Sequence, residues 1–160
     1  MNISTPDLCD EHSDQVRVVT GLNWQHFGGQ HAFGGQIETV RCFEDNSVLK
    51  QQLFSRGEGK VLVVDGGGSM RHALIGDLIG AEAVNNGWAG VIIHGACRDV
   101  DELAKLEIGI LALGAVPIKS VRRGEGQLNI PIHFGGVSFH PGDFVYADRN
   151  GVIASGQALV

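Results

Sequence analysis

The stretch Lys60–Leu103, KVLVVDGGGSMRHALIGDLIGAEAVNNGWAGVIIHGACRDVDEL, constrains the fold more than any other part of the chain. It holds two short apolar runs, Val61–Val64 and Val91–Ile93, with the length and β-branched content of strands buried on both faces. Between them, Leu78 to Asn86 has helical character and ends at Gly87, a residue suited to a helix C-terminus. A strand–loop–helix–strand unit of this kind pairs its strands in parallel, with a right-handed crossover. Ligands of such units sit at the carboxyl ends of the strands. Polar segments stand at both ends here: DGGGS with a loop to Gly76-Asp77 after the first strand, and HGACRD after the second. An arginine and two carboxylates are therefore expected to converge near one helix N-terminus.

Around this centre the chain reads as scaffold. Ser4 or Thr5 before Pro6 marks a helix start, and a short helix through about Ser13 is followed by a strand at Gln15–Val19. A small repeat comes next, Phe27-Gly28-Gly29-Gln30 and Phe33-Gly34-Gly35-Gln36, read as two glycine turns around a strand start, with a phosphate cradle as the sharper alternative. Gln36–Phe43 predicts a strand and Asn46–Phe54 an amphipathic helix. Beyond the centre, Val100–Leu106 predicts a short helix, Gly109–Val116 a strand and Arg122–Gln127 a polar glycine turn. Four short strands follow, Asn129–Phe134, Gly136–Phe139, Asp143–Asp148 and Gly151–Ser155, in a meander-like tail. The expected architecture is one layered α/β domain over residues 1–160, with a parallel centre, a β-rich C-terminal part and more than one sheet.

Composition excludes several function classes. With 12 basic against 18 acidic side chains the formal charge is −6, and the densest basic spot, Lys119 to Arg123, is too small for a nucleic-acid footprint. Three cysteines, Cys9, Cys42 and Cys97, make no CxxC pair, so neither a disulfide framework nor a structural zinc site is expected, and a reducing cytoplasm is the natural setting. The segment MNISTPDLCDEH lacks the basic and apolar regions of a signal peptide, and no apolar run reaches the ~20 residues a membrane span needs. The 24 glycines are about twice ordinary usage and point to tight turns and close backbone contacts.

Each candidate motif has a plain structural alternative. DGGGS lacks a completed GxGxxG, because Arg71 stands where the third glycine belongs, and no GK[ST] occurs; it reads as a turn. Main-chain N–H groups of Gly76 to Ile79 open a helix and can hold an anion, or Asp77 can cap its own helix. Arg98 presents a planar fork suited to a carboxylate or a developing enolate oxygen, and Asp99 can ligate a hard cation; alternatively the two pair, or Asp99 caps a helix at Val100. The seven histidines form no HxH or HExxH, and Cys97, although beside Arg98, has no identifiable histidine partner for nucleophilic chemistry.

Asp77, twenty residues, then Arg98-Asp99 resembles the Gly-Asp-x20-Arg-Asp signature of the RraA-like, class II 4-hydroxy-4-methyl-2-oxoglutarate aldolase family. The similarity extends through TPDLCD, FGGQIETVRCFEDNS, KVLVVDGGGSMRHAL, HFGGVSF and DFVYADRNGVI, nearly the whole chain. It implies a swivelling β/β/α fold and a trimeric assembly. It further implies that Gly76, Asp77, Leu78 and Ile79 bind substrate with Arg98, and that Asp99 holds a divalent metal, Mg²⁺ or Mn²⁺. Asp77 would orient a metal-bound water that moves the proton. The implied activity is retro-aldol cleavage to two pyruvates, with oxaloacetate decarboxylation through the same pyruvate enolate. Short members of the family are regulators that bind ribonuclease E, which makes a non-catalytic role the alternative.

Overall fold

Val61–Val64 divide their side chains between two apolar cores, and this sets the architecture. Leu62 and Val64 join Val91, Ile93, Ile110 and Ala112 on one face; Val61 and Val63 join Ile37, Ile92 and Leu111 on the other. Alternation with period two on a sheet covered on both faces gives this division. Each such fully buried branched side chain contributes about 1.5–3 kcal/mol.

The computed structural model describes residues 2–160. Its elements in chain order are α1 (Thr5–Glu11), β1 (Val16–Val18), β2 (Gln25–His26), β3 (Phe33–Arg41), α2 (Ser47–Leu53), β4 (Val61–Asp65), β5 (Ala73–Ile75), α3 (Asp77–Asn85), β6 (Gly90–Cys97), α4 (Val100–Leu103), β7 (Gly109–Ala115), β8 (Gln127–Leu128), β9 (Ile132–Phe134), β10 (Val137–Phe139), β11 (Phe144–Asp148) and β12 (Gly151–Ser155). The main sheet runs β1-β12-β11-β3-β4-β6-β7-β2, with β5 added beside β6 and β8 beside β3. Its centre is parallel: β4 pairs β6 in register from Val61 opposite Gly90 to Asp65 opposite His94, as the sequence predicts. Helices α2, α3 and α4 cover one face through Leu49, Leu53, Ile79, Ala83 and Leu103. The β11–β12 hairpin and the separate β9–β10 hairpin close the other through Val145, Val152, Phe134 and Phe139. Outside β11–β12, α1 packs Leu8 against Tyr146 and Ile153. The result is a layered β/β/α domain, and among the described residues no helix is long and apolar enough to cross a membrane.

Three expectations change. The meander-like tail divides: β9–β10 form a separate hairpin, whereas β11 pairs antiparallel with β3 and carries β12 into the main sheet. Phe33-Gly34-Gly35-Gln36 is no turn but the start of β3: a Cβ at Gly34 would meet the Tyr146 ring and the Val145 carbonyl, and one at Gly35 the Gly59 carbonyl. The strand expected from Asn129 begins only at Ile132, since Asn129 has φ 53° and spends its side-chain oxygen on the Thr39 N–H.

Candidate functional site

The short strand β5, which the sequence reading does not resolve, brings the site together. It pairs parallel with β6 so that Ile75 lies opposite Cys97. Residues 76–77 and 98–99 therefore leave the sheet side by side, and the Arg98 N–H donates to the Ile75 carbonyl at 2.9 Å. Helix α3 starts at Asp77, at this same point.

Asp99 is the pivot of the arrangement. Its backbone is left-handed (φ 59°, ψ 45°), a conformation that costs a non-glycine residue on the order of 1 kcal/mol and that collects at functional sites. Although it precedes α4, its side chain makes no capping bond there. Instead Oδ2 accepts the Asp77 N–H at 2.9 Å, so the carboxylate caps the neighbouring helix α3 from outside. Asp77 turns Oδ1 to the Leu78 N–H at 2.9 Å. The first amides of α3 thus already hold two anions, both of the chain itself, where its partial positive charge favours them. Gly76 is the spacer that allows this: a Cβ there would collide with Asp99 Oδ2.

Arg98 is half-buried, and its Nη1 donates to the Pro117 carbonyl at 3.4 Å, which leaves most of its fork facing a cleft of about 670 Å³. All five expected substrate-binding residues, Gly76, Asp77, Leu78, Ile79 and Arg98, line this cleft together with Asp99. Asp77, Leu78 and Asp99 are exposed.

The opposite wall escaped the sequence reading. Asn46, His72, Lys119 and Arg122 complete the cleft. Asn46 is buried, donates to the Leu74 carbonyl at 3.0 Å and accepts from Arg122 Nε at 3.1 Å, which aims that guanidinium. Asp45 clamps the segment carrying Arg122 by accepting from the Arg123 and Glu125 N–H groups at 2.8 and 3.2 Å. The basic spot at Lys119–Arg123 was the available signal; only the fold shows that it faces the cleft. Three cations, Arg98, Lys119 and Arg122, then stand against two carboxylates, a balance suited to a small anion.

Other candidates fall away. The DGGGS loop folds back on itself: Asp65 Oδ1 accepts the Gly67 N–H at 2.9 Å, and the Gly66 and Gly68 N–H groups donate to the His94 carbonyl at 3.1 and 3.0 Å. Gly67 and Gly68 supply positive φ for that turn. Cys97 is fully buried, and burial pushes its thiol up to about 12, so proximity to Arg98 gives it no thiolate character.

Fold and cleft define a class, the layered β/β/α domains that gather a polar site where parallel strands meet a helix N-terminus. The chain belongs to the RraA-like family (Aldolase/RraA), whose model matches residues 5–154. A protein of Alcanivorax borkumensis with the provisional name 4-hydroxy-4-methyl-2-oxoglutarate aldolase is 68% identical over 160 residues, the full length of both chains. One of the same name from Pseudomonas aeruginosa strain LESB58 is 52% identical over 159 residues, covering 99% of this chain and 98% of its own. Two solved structures are similar throughout. One, described as an S-adenosylmethionine:2-dimethylmenaquinone methyltransferase of Geobacillus kaustophilus, has a TM-score of 0.96 and 44% identity over 98% of this chain and 97% of its own. The RNA-processing inhibitor RraA of Thermus thermophilis has a TM-score of 0.93 and 41% identity over 98% and 94%.

Proposed function

We propose that the chain is a divalent-metal-dependent aldolase that cleaves 4-hydroxy-4-methyl-2-oxoglutarate to two pyruvates and also decarboxylates oxaloacetate. The observation that carries this reading is the convergence of Arg98, Asp99 and Asp77 at the start of α3. Names of relatives point three ways, to an aldolase, a methyltransferase and an inhibitor of RNA processing, so the chemistry of the site has to choose. A cleft with a forked cation, further basic groups and two exposed carboxylates suits a small 2-oxo acid.

The donor set fits a hard cation. Among the described residues no three His, Cys, Asp or Glu side chains form a metal cluster, while Asp99 and Asp77 offer exposed carboxylates side by side. Mg²⁺ and Mn²⁺ accept one or two protein carboxylates and complete their shells with water and substrate oxygens. Asp99 would hold the ion, which when bound polarises the 2-oxo group and adds positive charge where the enolate develops. Arg98 grips the oxo-acid end through directional, charge-assisted hydrogen bonds and stabilises the enolate oxygen. Asp77, directly or through one water, takes the proton of the C4 hydroxyl. The C3–C4 bond breaks, C4 becomes the ketone carbon of the first pyruvate, and its electron pair passes to C3 as the enolate of the second. The proton held by Asp77 returns to C3. Oxaloacetate gives the same enolate by losing CO₂, with no hydroxyl proton to remove.

Pyruvate release from both substrates, with and without EDTA and against a metal-only blank, tests the proposal. We expect reversible loss on chelation and rates well above the blank. Full turnover in excess EDTA removes the metal; rates at the blank from folded protein remove the enolate chemistry. The second reading, a regulator that binds ribonuclease E, is favoured by the 41% identical RraA structure. It predicts nuclease inhibition that Asp99→Asn leaves intact.

We also propose a homotrimer. Leu78, Ile118 and Val121, exposed by 77%, 55% and 44%, form an apolar rim to the cleft that a neighbouring subunit would cover. A light-scattering mass near the monomer's 17.0 kDa would rule this out.

A further inference from the structure

Seven histidines show no metal-binding spacing in the sequence, but the fold brings two of them together around the first FGGQ. His26 ends β2 and His31 lies five residues on, with ring centres 5.2 Å apart and planes inclined by 47°. His26 Nε2 lies 3.0 Å from the Asp148 carbonyl oxygen. A carbonyl only accepts, so Nε2 carries the proton, and Nδ1 of neutral His26 is a bare lone pair. That nitrogen is buried and has no partner; among the described residues only one other side-chain polar atom, the Trp24 indole nitrogen, shares this condition, and it is a donor. A buried acceptor left empty costs about 1–3 kcal/mol unless something fills it.

We propose that His26 and His31 form a two-imidazole site for a borderline divalent transition metal such as Zn²⁺, separate from the carboxylate cleft and independent of the aldolase reading. Zinc bonds imidazole nitrogen at about 2.0–2.1 Å, which puts each ring centre about 3.2 Å from the ion and two rings on one tetrahedral ion about 5.2 Å apart. The observed separation of 5.2 Å is compatible with both rings reaching one ion. The hydrogen bond from Nε2 to a backbone carbonyl is the supporting contact that metal-bound histidines use to fix ring and tautomer. Burial lowers the pKa of His26; His31 and Arg149 act in the same direction, and the Asp148 carbonyl and carboxylate oppose it.

The backbone between the two rings is rigid. Phe27, Gly29 and Gln30 donate to the carbonyls of Ile110, Leu106 and Ile108 at 2.8, 2.9 and 3.2 Å. Gly28 and Gly29 lie so close to those carbonyls that no Cβ fits at either position. Imidazole donors select Zn²⁺, Ni²⁺ or Cu²⁺ over Mg²⁺, and water completes the shell. An ion here would clip the β2–β3 connection where it meets the β11–β12 turn.

Zn²⁺ titration of the full chain by calorimetry, with Mg²⁺ saturating the carboxylates, tests this. His31→Ala alters an exposed ring, and His26→Gln keeps a donor for the Asp148 carbonyl. Each is expected to weaken the tightest Zn²⁺ site at least about tenfold, the scale on which metal sites respond to changes around them. Cys9→Ser should bind as wild type. No Zn²⁺ binding by wild type, or affinity within threefold of wild type in either histidine variant, overturns the proposal.

Discussion

Two aspartates, Asp99 lining the cleft and Asp45 buried behind its far wall, differ in how well they are satisfied. Asp45 is buried, and its oxygens accept from the Ser47 N–H and hydroxyl and from the Arg123 and Glu125 N–H groups. Asp99 is exposed, left-handed, and accepts a single N–H, that of Asp77. A carboxylate with four donors has its chemistry spent on holding a loop. One with a single donor, held in a strained backbone, still has an oxygen to offer a ligand. Side by side, they separate scaffold from site without recourse to residue type.

Asp99→Asn is the sharpest break of this contrast. Asparagine tolerates the left-handed backbone and can still accept from Asp77, so the fold should persist within about 1 kcal/mol. Losing the charge should lower kcat for pyruvate formation on the order of 10³-fold, the scale of several kcal/mol of electrostatic stabilisation. Activity within tenfold of wild type would remove Asp99 from metal binding.

Arg98→Lys comes next. Lysine keeps the charge and loses the fork, and the loss in kcat/KM should be about 10²-fold, as for removal of one oxyanion donor. A variant within threefold of wild type would show that Arg98 serves only its bond to Pro117.

How much of this was readable in the residues divides along the same line. Val61–Val64 and Val91–Ile93 announce a parallel pair because full burial demands continuous apolar runs, and Gly76-Asp77 with Arg98-Asp99 announce a site because polar groups end those runs. The Asn46–Arg122 wall was not readable. Its members are 76 positions apart and meet only after β3, β5 and the 121–126 segment are placed. Nor could the second FGGQ be told from a turn, since glycine there answers to Tyr146 and Gly59, contacts made by distant parts of the chain. Lys119–Arg123 shows both limits at once: visible as a basic spot, mute about what it faces.

Asp77→Ala should split the two reactions. Aldol cleavage needs a group to take the C4 hydroxyl proton; decarboxylation does not. The variant should lose at least about tenfold more in the first than in the second, toward the lower end of what a positioned acid–base group supplies. Equal losses, measured on one preparation with one metal, would make Asp77 a helix-terminal anchor rather than a proton carrier.

The smallest effect on turnover is expected at Asp45. Burial pushes this carboxyl upward, but the hydrogen bonds from Ser47, Arg123 and Glu125 outweigh it and hold the pKa below the ordinary carboxylate value. A carboxyl depressed in the folded state contributes stability that is fully present above the unfolded pKa, about 3.9, and disappears as pH falls through the lower folded value. Wild-type stability should therefore drop through that acid window. In Asp45→Asn this contribution is already missing at neutral pH, so its stability curve should be flatter below pH ~4. At pH 7 the variant loses charge-assisted bonds worth about 1.5–3 kcal/mol, which in a chain of this size lowers Tm by roughly 3–12 °C. At temperatures where it remains folded, kcat should stay within about twofold of wild type, because the residue touches no substrate and acts only through the loop bearing Arg122. Calorimetry across pH 3–7 with parallel assays of pyruvate release decides it. A large fall in kcat with an unchanged melting curve would place Asp45 in the chemistry and erase the distinction between the two aspartates.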